Sequence, residues 1–325
     1  MELVFCWSEK KGAMRKVIFV INGTTFHDTG ILSGSEAMRG VQPAKQLNVE
    51  LKTNSEIEYE KIKDSILVFI GDLSITYKLT KEKILSLQSR NNIIIQDPVD
   101  ALCFVTPWEG YRSSSTEEYN CLSVVDSIIT PNSVALENLK SIVKEKCILK
   151  TILHNWDNRF ENVGEKPNDF TTGYCGVTNG IPQEFANFNL DCYRFTDIGP
   201  LENKVKAIQD HFKASHSSIN FRKSNMIEFI MKPPMKVATS AFFGAPLITT
   251  KDYGNYDLLP EDYPLFIDED FDSLIEKIEY CKYIFKRKEW LDLLDLFKEI
   301  KKKTSIEYLS NQYIELFKEF NWERK

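Results

Sequence analysis

The chain has 325 residues, 42% of them apolar, with 41 basic and 47 acidic side chains and a formal charge of −6. That length supports two domains of ordinary size, each with a substantial core. No basic tract stands out against the acidic balance, so a nucleic-acid partner is not expected.

In chain order, KVIFVIN (16–22) is a continuous apolar run and reads as a buried parallel strand. A long polar loop, 23–35, follows with Gly23, His27, Asp28, Gly30 and Gly34. A helix is expected from Ser35 to about Leu47, with Glu36 in its first turn. Strands are predicted at 49–53 and at 65–70 (SILVFI), the second ending at Gly71 and Asp72. Thr80 caps a helix to about Arg90, and NIIIQ (92–96) is a strand before Asp97 and Pro98. DSIIT (126–130) is another strand; Asn132 or Ser133 then caps a helix to about Lys146. The strand at 148–153 runs into His154, Asn155, Trp156 and Asp157, and His154 is expected to play a structural or hinge role there. Short, nearly pure apolar strands alternating with helices imply a parallel sheet covered on both faces.

Residues 157–169 are polar, contain Gly164 and Pro167, and read as an interdomain linker. A second alternation follows. Strands are predicted at 170–174, 190–196, 217–222, 246–250 and 265–267, with helices at 200–212 and 271–284. Two further amphipathic helices, 288–301 and 305–320, close the chain. The predicted fold class is α/β, with two Rossmann-like parallel-sheet domains facing a central cleft. Residues 1–156 form the first domain, rejoined by the helix within 305–325, and residues 157–304 form the second.

Seven scattered cysteines without a CxxC spacing read as reduced, mostly buried thiols, and the four histidines make no paired metal-ligand spacing. The N-terminus lacks a signal h-region and no apolar run approaches about 18 residues, so a cytoplasmic location is expected. No GxSxG elbow, Walker loop, HExxH or complete GxGxxG is present, which removes support for hydrolase, P-loop and dinucleotide readings.

Chemistry concentrates in FIMKPPMKVATSAFFGAPLITTKDYGNY (229–256). A helix opening after a lysine and two prolines presents unpaired N–H groups and a positive dipole end, suited to an anion. Lys232 and Lys236 lie four residues apart, and Arg222 ends a predicted strand; together they could hold a diphosphate. Gly244 ends the helix where a positive φ is needed. In the next loop Gly254 would let N–H groups approach a phosphate or sugar, beside Asn255, and Asp252 or Asp257 could accept sugar hydroxyls. Gly173 and Gly176 follow the first strand of the second half, where such turns face ligands. In the first half His27 or Asp28 could act as general base, and Arg39 could contact an acceptor anion.

The stretch KPPMKVATSAFFGAPLITTKDYGNYDLL (232–259) resembles the donor-binding segment of GT-B glycosyltransferases, with Gly244, Pro246, Ile248, Thr249 and Gly254 in matching rhythm. Residues 170–176 look like the first strand and glycine turn of that family's C-terminal domain, and 23–40 lie where it carries its acceptor loop. The helix at 305–320 is similar to the segment that crosses back to the N-terminal lobe. The large retaining branch keeps two glutamates across the donor helix, whereas Met231 and Thr239 stand at those positions here. The resemblance therefore implies a divergent branch that grips its donor by the phosphates, with Asp257 in place of the missing acid.

The expected function is transfer of a sugar from a nucleotide diphosphate donor to a hydroxyl on a glycan or lipid-linked acceptor, without cofactor or metal. A lipid-linked acceptor would add peripheral contact with the inner membrane face. The alternatives are a non-catalytic two-lobed sugar- or nucleotide-binding protein, or a nucleotide-sugar epimerase of the same architecture.

Overall fold

The computed structural model describes residues 15–23, 34, 36–99, 112–140, 143–176, 190–198, 204–221 and 232–322. Strands β1 (Lys16–Ile21), β2 (Glu50–Thr53), β3 (Ser65–Ile70), β4 (Ile93–Asp97), β5 (Ser127–Thr130) and β6 (Ile148–Thr151) form one parallel sheet in the order β2-β1-β3-β4-β5-β6. Strands β7 (Thr172–Gly176), β8 (Tyr193–Asp197), β9 (Ser218–Asn220), β10 (Leu247–Thr250) and β11 (Phe266–Ile267) form a second, in the order β11-β10-β9-β7-β8, also parallel. The helices are α1 (Gln42–Leu47), α2 (Leu73–Tyr77), α3 (Lys81–Gln88), α4 (Arg112–Leu122), α5 (Ser133–Leu139), α6 (Lys204–Ala214), α7 (Met235–Phe242), α8 (Phe271–Ile284), α9 (Lys288–Lys303) and α10 (Ile306–Lys318).

The apolar runs of β1 and β3 follow from burial on both faces. Successive side chains alternate across a strand. Ile18, Val20, Leu67 and Phe69 enter one core with Leu73, Ile84 and Leu139. Val17, Phe19, Ile66 and Val68 enter another, with Ala44, Leu47 and the α10 residues Leu309, Tyr313 and Phe317. The last helix of the chain thus completes the core of the first sheet. The second sheet packs with α7, α8 and α9 around Ile219, Ile248, Leu274 and Phe297. Residues 157–169 contain no helix or strand, yet Phe160 packs on Phe243 of the second lobe, with ring centroids 5.1 Å apart. No helix among the described residues is long and apolar enough to cross a membrane.

Several predicted elements differ from the structure in their bounds, three of them instructively. The helix expected from Ser35 is π-helical over Glu36–Val41 and α-helical over Gln42–Leu47. Pro43 lacks the N–H that would continue a regular ladder back into that turn. The strand expected to reach Leu153 stops at Thr151. Beyond it, the carbonyls of Ile152 and Leu153 accept hydrogen bonds from Arg39 (3.1 and 2.8 Å) in place of a ladder. The helix capped by Asn132 ends at Leu139, well short of Lys146. Helices α2 and α4 were not foreseen. Five-residue α2 is held by a distant group: buried Glu118 of α4 accepts from the N–H of Leu73 (2.8 Å) and of Ser74 (2.6 Å). A carboxylate at a helix N-terminus satisfies donors that have no intrahelical partner.

Arg39 was expected at an acceptor anion, and the structure corrects this. It is 1% exposed and pairs with Asp97 at the end of β4 (Nη2–Oδ2 2.5 Å, Nε–Oδ2 2.8 Å). Tyr313 of α10 donates to the same carboxylate oxygen at 3.0 Å. Burial opposes the guanidinium charge, but Asp97 and Tyr313 together more than offset it and hold the Arg39 pKa above its ordinary value. His154 lies beside this pair, wholly buried, with neither ring nitrogen hydrogen-bonded among the described residues; burial first, then the Arg39 charge, pushes its pKa well below the ordinary value.

Two predictions follow from these buried charges. Arg39→Ala leaves Asp97 without its cation, so urea denaturation should show a loss of about 3–5 kcal/mol, the range for breaking one partner of a buried pair. Full stability in that variant would contradict this account. The second concerns acid. His154 and His211 are neutral in the fold, His211 with its pKa down to about 3, against an ordinary 6.5. Between those values the unfolded chain binds protons that the fold does not, so stability is full above about pH 6.5 and falls below it. The slope should be about 1.4 kcal/mol per pH unit for each histidine, read by denaturation at pH 7.5 and 5.5.

Candidate functional site

Both sheets reverse their winding direction beside their first strand, between β1 and β3 and between β7 and β9. Open α/β sheets bind ligands at the carboxyl ends of the strands at such a point. The two carboxyl edges face each other. Asn132 and Ser133, after β5, hydrogen-bond to Lys232 and Asp257 of the second lobe, and Gly34 approaches the Lys204 ammonium. His27 and Asp28 come after β1 in the sequence but lie outside the described residues, as does Arg222. Gly23 has φ +74°, and a Cβ there would lie 2.6 Å from Thr53 Cγ2, so only glycine fits. Its N–H donates to Glu36 Oε1 at 3.0 Å.

A pocket of about 490 Å³ opens at the reversal point of the second sheet, between α6 and α7. Tyr174, Cys175 and Gly176 of β7 form its floor. Ile208 and Phe212 of α6 and Met235 of α7 supply apolar walls. Lys204, Lys232 and Lys236 supply charge, and no carboxylate lines it among the described residues. Lys236 lies on helix α7 while Lys232 precedes it by three residues, so their convergence on the pocket does not come from one helical face. The Lys236 Nζ sits 4.1 Å from the Tyr174 ring centroid, a cation–π contact that steers its stem. Gly176 makes room here: a Cβ would lie 2.5 Å from the Tyr174 hydroxyl. Burial pushes the Cys175 thiol up to about 12, although Lys236 and Lys204 pull the other way, which disfavours the thiolate. Among the described residues no group of three or more His, Cys, Asp or Glu could hold a metal ion.

The helix beside this pocket has both ends defined by sequence. At the start, Pro233 and Pro234 carry no N–H, and the first intrahelical bond is Ala238 N to Pro234 O at 3.0 Å. The first-turn N–H groups therefore lie at the pocket end. At the far end Gly244 adopts φ +57°, as its position predicted. Ala245 N bonds to Ser240 O (2.9 Å) and Gly244 N to Ala241 O (3.2 Å), the Schellman pattern.

Other predicted site residues sit elsewhere. Gly173 is inside β7, where a Cβ would meet Arg194 O at 2.1 Å; it serves strand packing and does not turn toward a phosphate. Asp252 and Asn255 are each 1% exposed and lie beneath the cleft surface. Asn220 Nδ2 donates to Thr249 Oγ1 (3.0 Å) and to Asp252 Oδ2 (3.4 Å), and Asn255 Nδ2 donates to the same Thr249 oxygen (3.1 Å). Gly254 approaches the chain itself, its would-be Cβ 2.5 Å from Lys232 O. Asp257 accepts from Ser133 N at 2.7 Å across the cleft. Sequence reasoning missed Lys204 and Tyr174. Lys204 opens the helix that follows the second strand of its lobe, and that position at a carboxyl edge was the available signal.

No protein-family model matches the chain, and no curated protein matches it by sequence. Solved structures do match in fold. Anabaena HepE in complex with UDP and glucose superposes with a TM-score of 0.61 at 8% identity, covering 94% of this chain and 100% of that one. The lipopolysaccharide outer core galactosyltransferase WaaB, in its apo form, gives 0.57 at 9% identity, covering 94% and 99%. Sucrose-phosphate synthase from Thermosynechococcus elongatus gives 0.55 at 12% identity, covering 94% and 99%. The chain has the GT-B fold.

Because Gly254 abuts a backbone oxygen, Gly254→Ala must displace the Lys232 peptide. Overpacking of this kind costs about 1–3 kcal/mol, so a urea midpoint equal to wild type would show that the contact is not tight.

Proposed function

We propose that the protein is a glycosyltransferase that moves a sugar from a nucleoside diphosphate donor to a hydroxyl of a glycan or lipid-linked acceptor. The observation that carries this reading is the convergence of Lys204, Lys232, Lys236 and the start of α7 on one pocket at the reversal point of the second sheet of a GT-B fold. HepE, which shares the fold, is seen with UDP and glucose, and WaaB is a galactosyltransferase.

The acceptor oxygen attacks the anomeric carbon as the bond from that carbon to the diphosphate oxygen breaks. Negative charge then accumulates on the leaving diphosphate. Three ammonium groups and a helix N-terminus at that spot stabilise it as it forms, which lowers the barrier and supplies the charge a metal would otherwise bring. Arg222 adds a planar fork to the same group. In an inverting transfer His27 or Asp28 takes the acceptor proton. Thr239 lines the pocket where the large retaining branch has a glutamate, so the grip on the donor runs through its phosphates. Closure of the lobes excludes water and limits hydrolysis. A lipid-linked acceptor would place the reaction at the inner face of the membrane, with the protein in the cytoplasm.

Calorimetric titration with UDP, GDP, ADP and CDP tests the site. One of them should bind, and Lys232→Ala and Lys236→Ala should each weaken it roughly 10- to 100-fold, the loss of one charge-assisted bond. Unchanged affinity in both variants would sink the assignment. With the matching nucleotide sugar, acceptor-dependent release of the diphosphate marks a transferase. Binding without turnover marks a carrier, and isomerisation without acceptor an epimerase.

A further inference from the structure

The Lys232 carbonyl is held from both sides of the cleft. Gly254 packs against it from its own lobe. From the opposite lobe, Asn132 Nδ2 donates to it at 3.2 Å. Asn132 is fully buried, and its other amide atom is also engaged: Oδ1 accepts from Ala135 N at 2.7 Å and caps α5. One residue later, Ser133 N donates to Asp257 Oδ2 at 2.7 Å. That N–H opens a helix and has no intrahelical acceptor, so a carboxylate from the other lobe suits it.

Residue choice at 132 separates two roles. Serine or aspartate would cap α5 as well as asparagine does. Neither offers a second arm with an N–H donor when its oxygen is already committed to the cap. The amide is needed for the bond that crosses the cleft.

We propose that Asn132 is a positioning residue. With the Ser133–Asp257 bond it forms a clasp between the lobes that sets the Lys232 peptide, and through it the first turn of α7, at the mouth of the lysine pocket. The effect on the donor rests on the glycosyltransferase reading; the clasp itself does not. The clasp couples lobe contact to the placement of phosphate-binding groups, so donor affinity is greatest with the lobes together.

Asn132→Asp keeps the capping oxygen and removes the donor. Hydrogen-exchange mass spectrometry of the ligand-free protein should show faster exchange across residues 232–242, with α5 still protected. UDP, or whichever diphosphate the wild type binds, should bind about fivefold more weakly, the worth of one ordinary hydrogen bond. Asp257→Ala should produce the same exchange pattern. Asp257→Asn, whose amide oxygen still accepts from Ser133 N, should restore wild-type behaviour. Unchanged exchange over 232–242 in both Asn132→Asp and Asp257→Ala overturns the proposal. So does exchange that rises only in α5, which would mean a cap and nothing more. If the wild type binds no nucleoside diphosphate, the transferase reading fails alone, and the exchange pattern still decides the clasp.

Discussion

The buried pair of Arg39 and Asp97 ties together parts of the chain that are otherwise far apart. Asp97 ends a central strand. Arg39 sits in the π-helical segment ahead of α1. Its other nitrogen holds the carbonyls of Ile152 and Leu153, where the chain leaves the first sheet for the second lobe. Tyr313, from the last helix, completes the group. A charge pair buried this completely is costly unless its partners and their hydrogen bonds are held in place. That requirement fixes the strand end, the lobe crossing and the returning helix relative to one another. His154 sits against the same group and remains neutral, because a second positive charge there would be desolvated and next to the guanidinium.

Between the lobes the balance of charge is different. The pocket beside α7 collects positive groups without a lining carboxylate among the described residues. A concentration of positive groups of this kind suits an anion. The flanking network of Asn220, Thr249, Asp252 and Asn255 is buried and holds the loop that presses Gly254 on Lys232. Packing thus sets where the charges stand, and the charges define what can be bound.

Much of the architecture was legible in the residues. The apolar runs at 16–22 and 65–70, the cap at Thr80 and the helix at 271–284 are local signals, and the structure places strands, a cap and a helix there. Gly244 was readable because only a left-handed residue ends α7 in that way. The short helix α2 was not readable, because its stabilising group is Glu118, 45 residues from Leu73. Lys232 and Lys236, grouped on the sequence beside the two prolines, line one pocket in the structure. Arg39 was misplaced for a reason of the same kind as α2: nothing local shows that an arginine will find a carboxylate 58 residues away.

The sequence by itself determined two parallel α/β halves, the start and stop of the helix at 235–242 and the basic character of its leading end, because periodicity, proline and glycine act over a few residues. Only the tertiary structure decided which polar groups became framework and which reached the cleft. Asp252 and Arg39 were drawn inward by partners distant in sequence, while Lys204 was brought to the pocket by the crossing of α6 over the sheet. Burial and pairing are properties of the assembled fold, and no local pattern carries them.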